Sequence, residues 1–257
     1  MQEFSPTTTK AVLITGAARR IGSAIARRFG DAGWHVVVHC NRSLDAAQAL
    51  ASSLPSAQVV QCDLANGDAA KAMIATLAGQ LADWRVLVNN ASVFAEDDVT
   101  ALDPATNTMA MQVNAVTPAI MAQAFLNGAR SCAGRRVIQL TDQKLANPNP
   151  DFFSYTMSKY AADGAARMMA MACEPDDRVY RLAPGAILAS HDQTPAEAET
   201  SHRMNLLGRR TAAAEIADAA LFMAAGPLTS GQAIFVDSGQ HLLSQPRDVL
   251  YLARGED

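Results

Sequence analysis

Ala11-Val12-Leu13-Ile14-Thr15-Gly16-Ala17-Ala18-Arg19-Arg20-Ile21-Gly22 is the stretch whose reading decides the fold. Its four leading apolar residues have the look of a buried parallel strand. They run into a glycine-bearing turn and then into Ile21 to Phe29, where apolar residues recur at helical spacing. At such a junction the first free N–H groups of the helix, aided by its dipole, point at whatever lies above the strand's end, and a pyrophosphate suits them. Gly16 permits the tight turn and Gly22 lets the helix pack close to the sheet. Arg20 stands where dinucleotide folds often carry a further glycine. Gly16, Arg19, Arg20, Ile21 and Gly22 are therefore candidate phosphate ligands, against the competing reading of an ordinary strand-to-helix turn.

Outward from this unit, strand and helix patterns alternate. Strands are expected at Trp34 to Cys40, Ala57 to Gln61, Arg85 to Asn89, Arg136 to Leu140, Arg178 to Leu182 and Ala233 to Val236. Helices are expected at Asp45 to Leu54, Asp68 to Leu81, Ala115 to Asn127, Ser154 to Ala172 and Thr211 to Ala225. Regular alternation means right-handed βαβ crossovers and a single-domain Rossmann-like α/β fold, a doubly wound parallel sheet of about seven strands with helices on both faces. One domain over residues 1–257 is expected, with a flexible 1–10, a patternless loop at His191 to Asn205, and a tail, Ser244 to Asp257. That tail contains Val249, Leu250, Tyr251 and Leu252, and reads as packing on the body or on a neighbouring subunit.

Composition narrows the function classes. Of 257 residues 49% are hydrophobic and 18% charged, the balance of a globular protein rather than a disordered chain. A net charge of −4 offers no basic field for nucleic acid. No apolar run approaches the ~20 residues that cross a bilayer, and Met1 to Lys10 has no signal-peptide core, so a cytoplasmic protein is expected. Cys40, Cys62, Cys132 and Cys173 are widely spaced, which suggests reduced, half-buried thiols and no metal site.

In a doubly wound sheet the ligand lies at the carboxyl ends of the strands. The end of strand two reads His39-Cys40-Asn41-Arg42-Ser43. It offers no carboxylate for a free ribose 2′-hydroxyl, and a guanidinium and a hydroxyl are available to a 2′-phosphate, which favours NADPH over NADH. His39, Asn41, Arg42 and Ser43 are candidates there. Asp63 and Leu64 after strand three suit an adenine edge, although Asp63 also reads as a turn or cap residue. Asn90, Ala91 and Ser92 follow strand four, and Asn114 opens a helix, where it could serve simply as the N-cap.

Tyr155 and Lys159 lie four apart on the helix after strand five, so they share a face about 6 Å apart along the axis. The nearby ammonium is expected to stabilise phenolate and to lower the tyrosine pKa, making Tyr155 a usable acid or base.

Thr15-Gly-x-x-x-Arg-x-Gly22, Asn89-Asn-Ala-Ser92, Asn114, Tyr155-Thr-Met-Ser-Lys159 and Ala183-Pro-Gly185 together resemble the short-chain dehydrogenase/reductase superfamily over nearly the whole chain. The resemblance implies hydride transfer at a nicotinamide, with Tyr155 as acid/base and Lys159 holding the ribose. It further implies Asn114 supporting a water relay, and Pro184, Gly185 and Ile187 near the carboxamide. A homotetramer is implied as well, with the Tyr155 helix between subunits.

One position departs from the superfamily. Thirteen residues before the tyrosine, where a serine is usual, stands Asp142. A buried carboxyl of raised pKa can deliver a proton to a ring nitrogen, whereas a serine hydroxyl polarises a ketone. With Arg20, His39-x-x-Arg42-Ser43 and Phe94, this resembles the pteridine reductase branch, which includes the bacterial dihydromonapterin reductases. By that resemblance Arg20, Ser92, Phe94, Asp142 and Tyr155 contact a pterin, Phe94 by stacking. The expectation is an NADPH-dependent reductase of pterins or dihydropterins. The alternatives are a carbonyl or alcohol oxidoreductase of another substrate, and a non-catalytic NADP(H)-binding sensor.

Overall fold

A computed structural model describes residues 9–189 and 193–256. Most of the segment expected to be flexible at the N-terminus, and residues 191–192 of the expected loop, lie outside the described residues. Among those described, β1 (Ala11–Ile14), β2 (His35–Cys40), β3 (Ala57–Gln61), β4 (Trp84–Asn89), β5 (Arg136–Leu140), β6 (Arg178–Pro184) and β7 (Ala233–Val236) form one sheet. All neighbouring strands pair in parallel, in the order β3-β2-β1-β4-β5-β6-β7. The chain steps outward from β1 on one side and resumes at β4 on the other, which opens a crevice above their carboxyl ends.

Alternate residues of each strand face opposite layers. Val12, Ile14, Val36, Val38 and Val88 pack with Ile25 and Phe29 of α1 (Arg20–Asp31). The smaller α2 (Leu44–Ser52) joins that face through Ala47 and Leu50. Leu13, Val37, Leu87 and Val137 face the other way, against Ile74 and Leu77 of α3 (Gly67–Gln80). Both faces are covered, so the strands read as continuous apolar runs.

Three helical segments depart from the sequence reading. The irregular entry before Ala115 contains α4 (Pro104–Met111), started by Asp103, whose carboxylate accepts from Thr106 N at 2.8 Å, and by Pro104 at the first helical position. It continues through a π-helical turn (Gln112–Val116) into α5 (Thr117–Gly128). Asn114 therefore does not begin a helix; it lies inside the turn. Pro118 accounts for the widened turn, because its ring has no N–H to donate to the Asn114 carbonyl and would collide with it.

Beyond α6 (Phe153–Ala172), the region expected to be a loop contains α7 (Pro195–Ser201). Its capping box is made by Thr194 Oγ1, which accepts from Glu197 N, and Glu197 Oε2, which accepts from Thr194 N at 2.7 Å. After α8 (Ala213–Ala225), which packs with α1 on the first face, the tail folds as α9 (Val249–Arg254) on the chain's own body. Asp248 N donates to Asp151 Oδ2 at 2.7 Å, Tyr251 Oη to Glu96 at 2.6 Å, and Arg254 to Glu197 at 3.0 Å. The cysteines are all free thiols. Cys40 is fully buried and Cys132 exposed, rather than both half-buried.

Candidate active site

The glycine turn is held from below. Gly16 has φ +62°, a conformation that suits glycine, and its N–H donates to Nδ1 of His39 at 3.1 Å. Nε2 of the same ring meets the Cys62 carbonyl at 3.1 Å, and burial pushes the imidazole pKa down to about 4, so it is neutral. Both ring nitrogens of His39 are thus committed to the backbone, and the residue braces the turn. A Cβ on Gly22 would meet Gly16 O at 2.3 Å and the Asn90 amide at 2.7 Å, so the close approach of α1 to the turn requires glycine there.

Thr15 Oγ1 accepts from Asn90 N and Ala91 N at 2.9 Å each, and Asn90 Nδ2 donates to Thr15 O at 2.8 Å. These bonds tie the β1 and β4 ends into one floor. Arg19 and Arg20 are exposed at the mouth. Arg20 also holds φ +56°, and its guanidinium reaches across to the carbonyls of Leu188 and Ala189 at 3.3 and 3.1 Å. Arg42 is exposed and Ser43 half-buried at the β2 end. Asn41 donates to Asp63 Oδ1 at 3.1 Å, which also accepts from Ala65 N, so Asp63 shapes its own turn and ties it to the β2 end.

Asn114 is buried, and its amide is fully engaged. Oδ1 accepts from Val93 N at 2.8 Å, while Nδ2 donates to Val93 O at 2.9 Å and to Ser158 Oγ at 3.0 Å. The side chain thus pins the Ser92–Phe94 loop to α6. Phe94 is 45% exposed, so it is no core aromatic. Its ring packs at 4.3 Å on Phe152 and edge-on at 4.8 Å against Tyr155.

At the centre, Tyr155 Oη donates to Asp142 Oδ2 at 2.7 Å, and Asp142 Oδ1 accepts from Lys144 N at 2.9 Å. Burial raises the Asp142 carboxyl above its ordinary value, against the opposing pull of these bonds and of Lys159. Burial also raises the Tyr155 phenol well above 10, helped by the Asp142 charge. This corrects the expectation of a lowered tyrosine pKa. The Lys159 ammonium donates to Leu140 O at 3.1 Å and sits 5.5 Å from the Tyr155 ring centroid, over the face rather than beside the oxygen, and the oxygen meets a carboxylate instead. Burial lowers Lys159 itself to about 8.

Gly16, Arg19, Arg20, Ile21, Gly22, Asn90, Ala91, Ser92, Phe94, Asp142, Tyr155, Gly185 and Ile187 line one cleft of about 590 Å³. Lys159 is buried beside the Tyr155 ring and Pro184 closes β6, whereas Asn41, Arg42 and Ser43 after β2 and Asp63 and Leu64 after β3 are not among the residues that line the cleft. The sequence reading missed further lining groups: Lys144, Gln193, His202, Gln240 and Asp248. Two had a local signal. Thr194-Pro-x-Glu197 is a capping-box pattern that places α7 and so His202, and Asp248 before Val249-Leu250 is an N-cap pattern.

Residues 16–241 match the family model described as Enoyl-(Acyl carrier protein) reductase, one of the short-chain dehydrogenase/reductase families. The FolM alternative dihydrofolate reductase 1 of Brucella canis, crystallised with NADP, is 36% identical with a TM-score of 0.86, over 93% of this chain and 96% of that one. The angucycline C-6 ketoreductase LanV, crystallised with NADP, is 29% identical with a TM-score of 0.81, over 91% of this chain and 96% of that one. The dihydromonapterin reductase of Escherichia coli O6:K15:H31 is 26% identical over 235 residues, 90% of this chain and 96% of that one. With its switch-point cleft, glycine turn and paired tyrosine and lysine, the chain belongs to the short-chain dehydrogenase/reductase superfamily and is an oxidoreductase.

Proposed function

We propose that the protein is an NADPH-dependent reductase of dihydropterins. The observation that carries this reading is the 2.7 Å bond between Tyr155 and the half-buried Asp142, a carboxyl where a ketone reductase needs only a hydroxyl. The site's donor set fits the dinucleotide. The glycine turn excludes a Cβ at Gly22, the β2 end carries no carboxylate, and Arg42 projects there with Ser43. Arg42 and Ser43 hold the 2′-phosphate, Arg19 and the amides of Arg20, Ile21 and Gly22 the pyrophosphate, and Asp63 and Leu64 the adenine. Asn90, Ala91 and Lys159 hold the nicotinamide ribose, and Pro184, Gly185 and Ile187 the carboxamide. The bound cofactor supplies the hydride.

The chain's own work is placing the ring and supplying the proton. Phe94 offers an exposed ring face for stacking, and Ser92 and Arg20 offer hydrogen bonds to the ring edge. Asp142 and Tyr155 share a proton: the Asp142 charge raises the phenol's hold on it, and burial raises the carboxyl's against the opposing pull of the phenol's bond. As the reduced C=N bond gains electron density on nitrogen, that proton moves to nitrogen from the pair. The test is NADPH consumption, followed by absorbance, with dihydrobiopterin, dihydromonapterin and dihydrofolate. Turnover with at least one of them, lost in Tyr155→Phe, is expected, and no consumption with any of them rejects the reading.

Similarity to LanV favours a second reading, reduction of a ketone. A panel of cyclic ketones decides it, since ketone turnover that exceeds pterin turnover and survives Asp142→Ser points there. The same proposal includes self-association as a homotetramer through the α6 face, where Met168 and Met171 are exposed. Light scattering on the eluted protein reads that directly.

A further inference from the structure

The C-terminal tail brings a charge into the cleft that the reduction reading above does not use. Lys144 is 5% exposed, and its ammonium donates to Asp151 O at 2.6 Å and faces Asp248 Oδ2 at 3.5 Å. Lys144 lies two residues after Asp142, and its own N–H donates to Asp142 Oδ1. Asp248 is fixed in turn. Its N–H donates to Asp151 Oδ2, its Oδ1 accepts from Leu250 N at 3.1 Å, and Arg247 Nε meets both oxygens of the Asp151 carboxylate at 3.0 Å. Asp151 leads directly into Phe152 and α6, the helix that carries Tyr155. The tail is therefore bonded to both arms of the donor pair, the turn that holds Asp142 and the start of the helix that holds Tyr155.

We propose that Lys144 and Asp248 are positioning residues for the Asp142–Tyr155 donor pair, with the tail contributing the second of two opposed charges that set how tightly the pair holds its proton. The proposal rests on the reading of that pair as the proton source. A buried cation next to the carboxyl favours its ionised form, and an anion near the phenol favours the neutral one; fixed charges in a poorly solvated cleft act strongly. The burial-driven rise of Asp142 is opposed by Lys144, and that of Tyr155 is reinforced by Asp248. Of the other charged groups near the pair, Lys159 on α6 is bonded to Leu140 O and also pulls the Asp142 carboxyl down, and Asp151 is paired with Arg247. On the 3₁₀ turn Gln240–Leu242, which meets the Asp142 turn through the Asn147–His241 bond, His241 pairs with Asp237 at 2.7 Å.

The test is the pH dependence of kcat for the full-length enzyme with NADPH and its best dihydropterin. Activity falls at high pH as the pair loses its proton. Lys144→Met is expected to move that limb up, and Asp248→Asn to move it down, each by on the order of half a pH unit to one. KM for NADPH is expected to stay within about threefold. Asp248 is partly exposed and its amide replacement is nearly isosteric, so that arm stands even if Lys144→Met melts low. Limbs that stay put, or that shift in the same direction, overturn the proposal. Tyr155→Phe separates the two failures: if it retains full turnover the donor reading itself is wrong. If it is inactive while both limbs stay put, only the role of Lys144 and Asp248 is rejected.

Discussion

The Tyr155 hydroxyl donates to Asp142 Oδ2 at 2.7 Å inside a cleft that desolvates both groups, so neither gives up its proton readily. A group that must donate a proton works only while it holds one. Because both affinities are raised, the pair stays protonated from acid into neutral pH, and reductive turnover is flat there and declines on the alkaline side. Asp142→Asn removes the ionising carboxyl and the negative charge beside the phenol. Its kcat is expected to fall by about 10²- to 10³-fold while the remaining activity follows the phenol alone. A kcat–pH profile for the variant that overlays the wild-type shape would remove Asp142 from the proton path.

Lys159 carries a cost that its chemistry justifies. Burial depresses its pKa from 10.5 to about 8. A folded pKa below the unfolded one means the charged form is penalised in the fold. The penalty is complete below about pH 8, shrinks as pH rises, and vanishes above 10.5. Its size, about 3 kcal/mol, exceeds the roughly 1 kcal/mol net worth of the bond to Leu140 O. Lys159→Met is therefore expected to melt several degrees higher than wild type at pH 7, with the gap closing toward pH 10, while turnover collapses. Melting curves across this range check it, and a lower melting point at pH 7 contradicts it.

Arg42 stands at the β2 end, where residues 39–43 carry no carboxylate and the neighbouring Asp63 carboxyl is bonded to Asn41 and to Ala65 N. Charge-assisted bonds to a phosphate contribute roughly 1.5–3 kcal/mol each. Arg42→Ala is expected to raise KM for NADPH about 10- to 100-fold and leave KM for NADH nearly unchanged. Parallel titrations with the two cofactors measure this, and equal changes in both would assign Arg42 to the surface.

The sheet was legible because parallel strands buried on both faces must be apolar throughout, as Val36-Val37-Val38 and Val86-Leu87-Val88 are. The glycine turn and the Tyr155–Lys159 pair were legible because their spacing alone fixes who faces whom. For His39 and Asn114 the sequence showed the region but not the bonds the side chains make. An imidazole or an amide at a strand end can bind a ligand or hold a loop, and only the positions of Gly16, Cys62, Val93 and Ser158 decide. Lys144 and Asp248 were out of reach for another reason. They are 104 residues apart in the chain, and their meeting depends on where a six-residue helix docks. The raised phenol of Tyr155 has the same origin, since a helical spacing shows the lysine but not which end of the ring it covers.

Asn114 offers the last separation of brace from relay. Its three bonds hold Val93, the residue between Ser92 and Phe94, and hold it against α6 through Ser158. Removing the amide leaves these groups unpaired, at about 2–3 kcal/mol, or a fall in melting temperature of roughly 4–10 °C. The loop that presents Phe94 then loses its anchor, so Asn114→Ala is expected to raise KM for the pterin more than it lowers kcat. A relay member behaves in the opposite way, since its loss slows proton delivery after the substrate has bound. Kinetics and melting on the same preparation distinguish the two: an unchanged melting temperature with a collapsed kcat and unchanged KM would return Asn114 to the proton path.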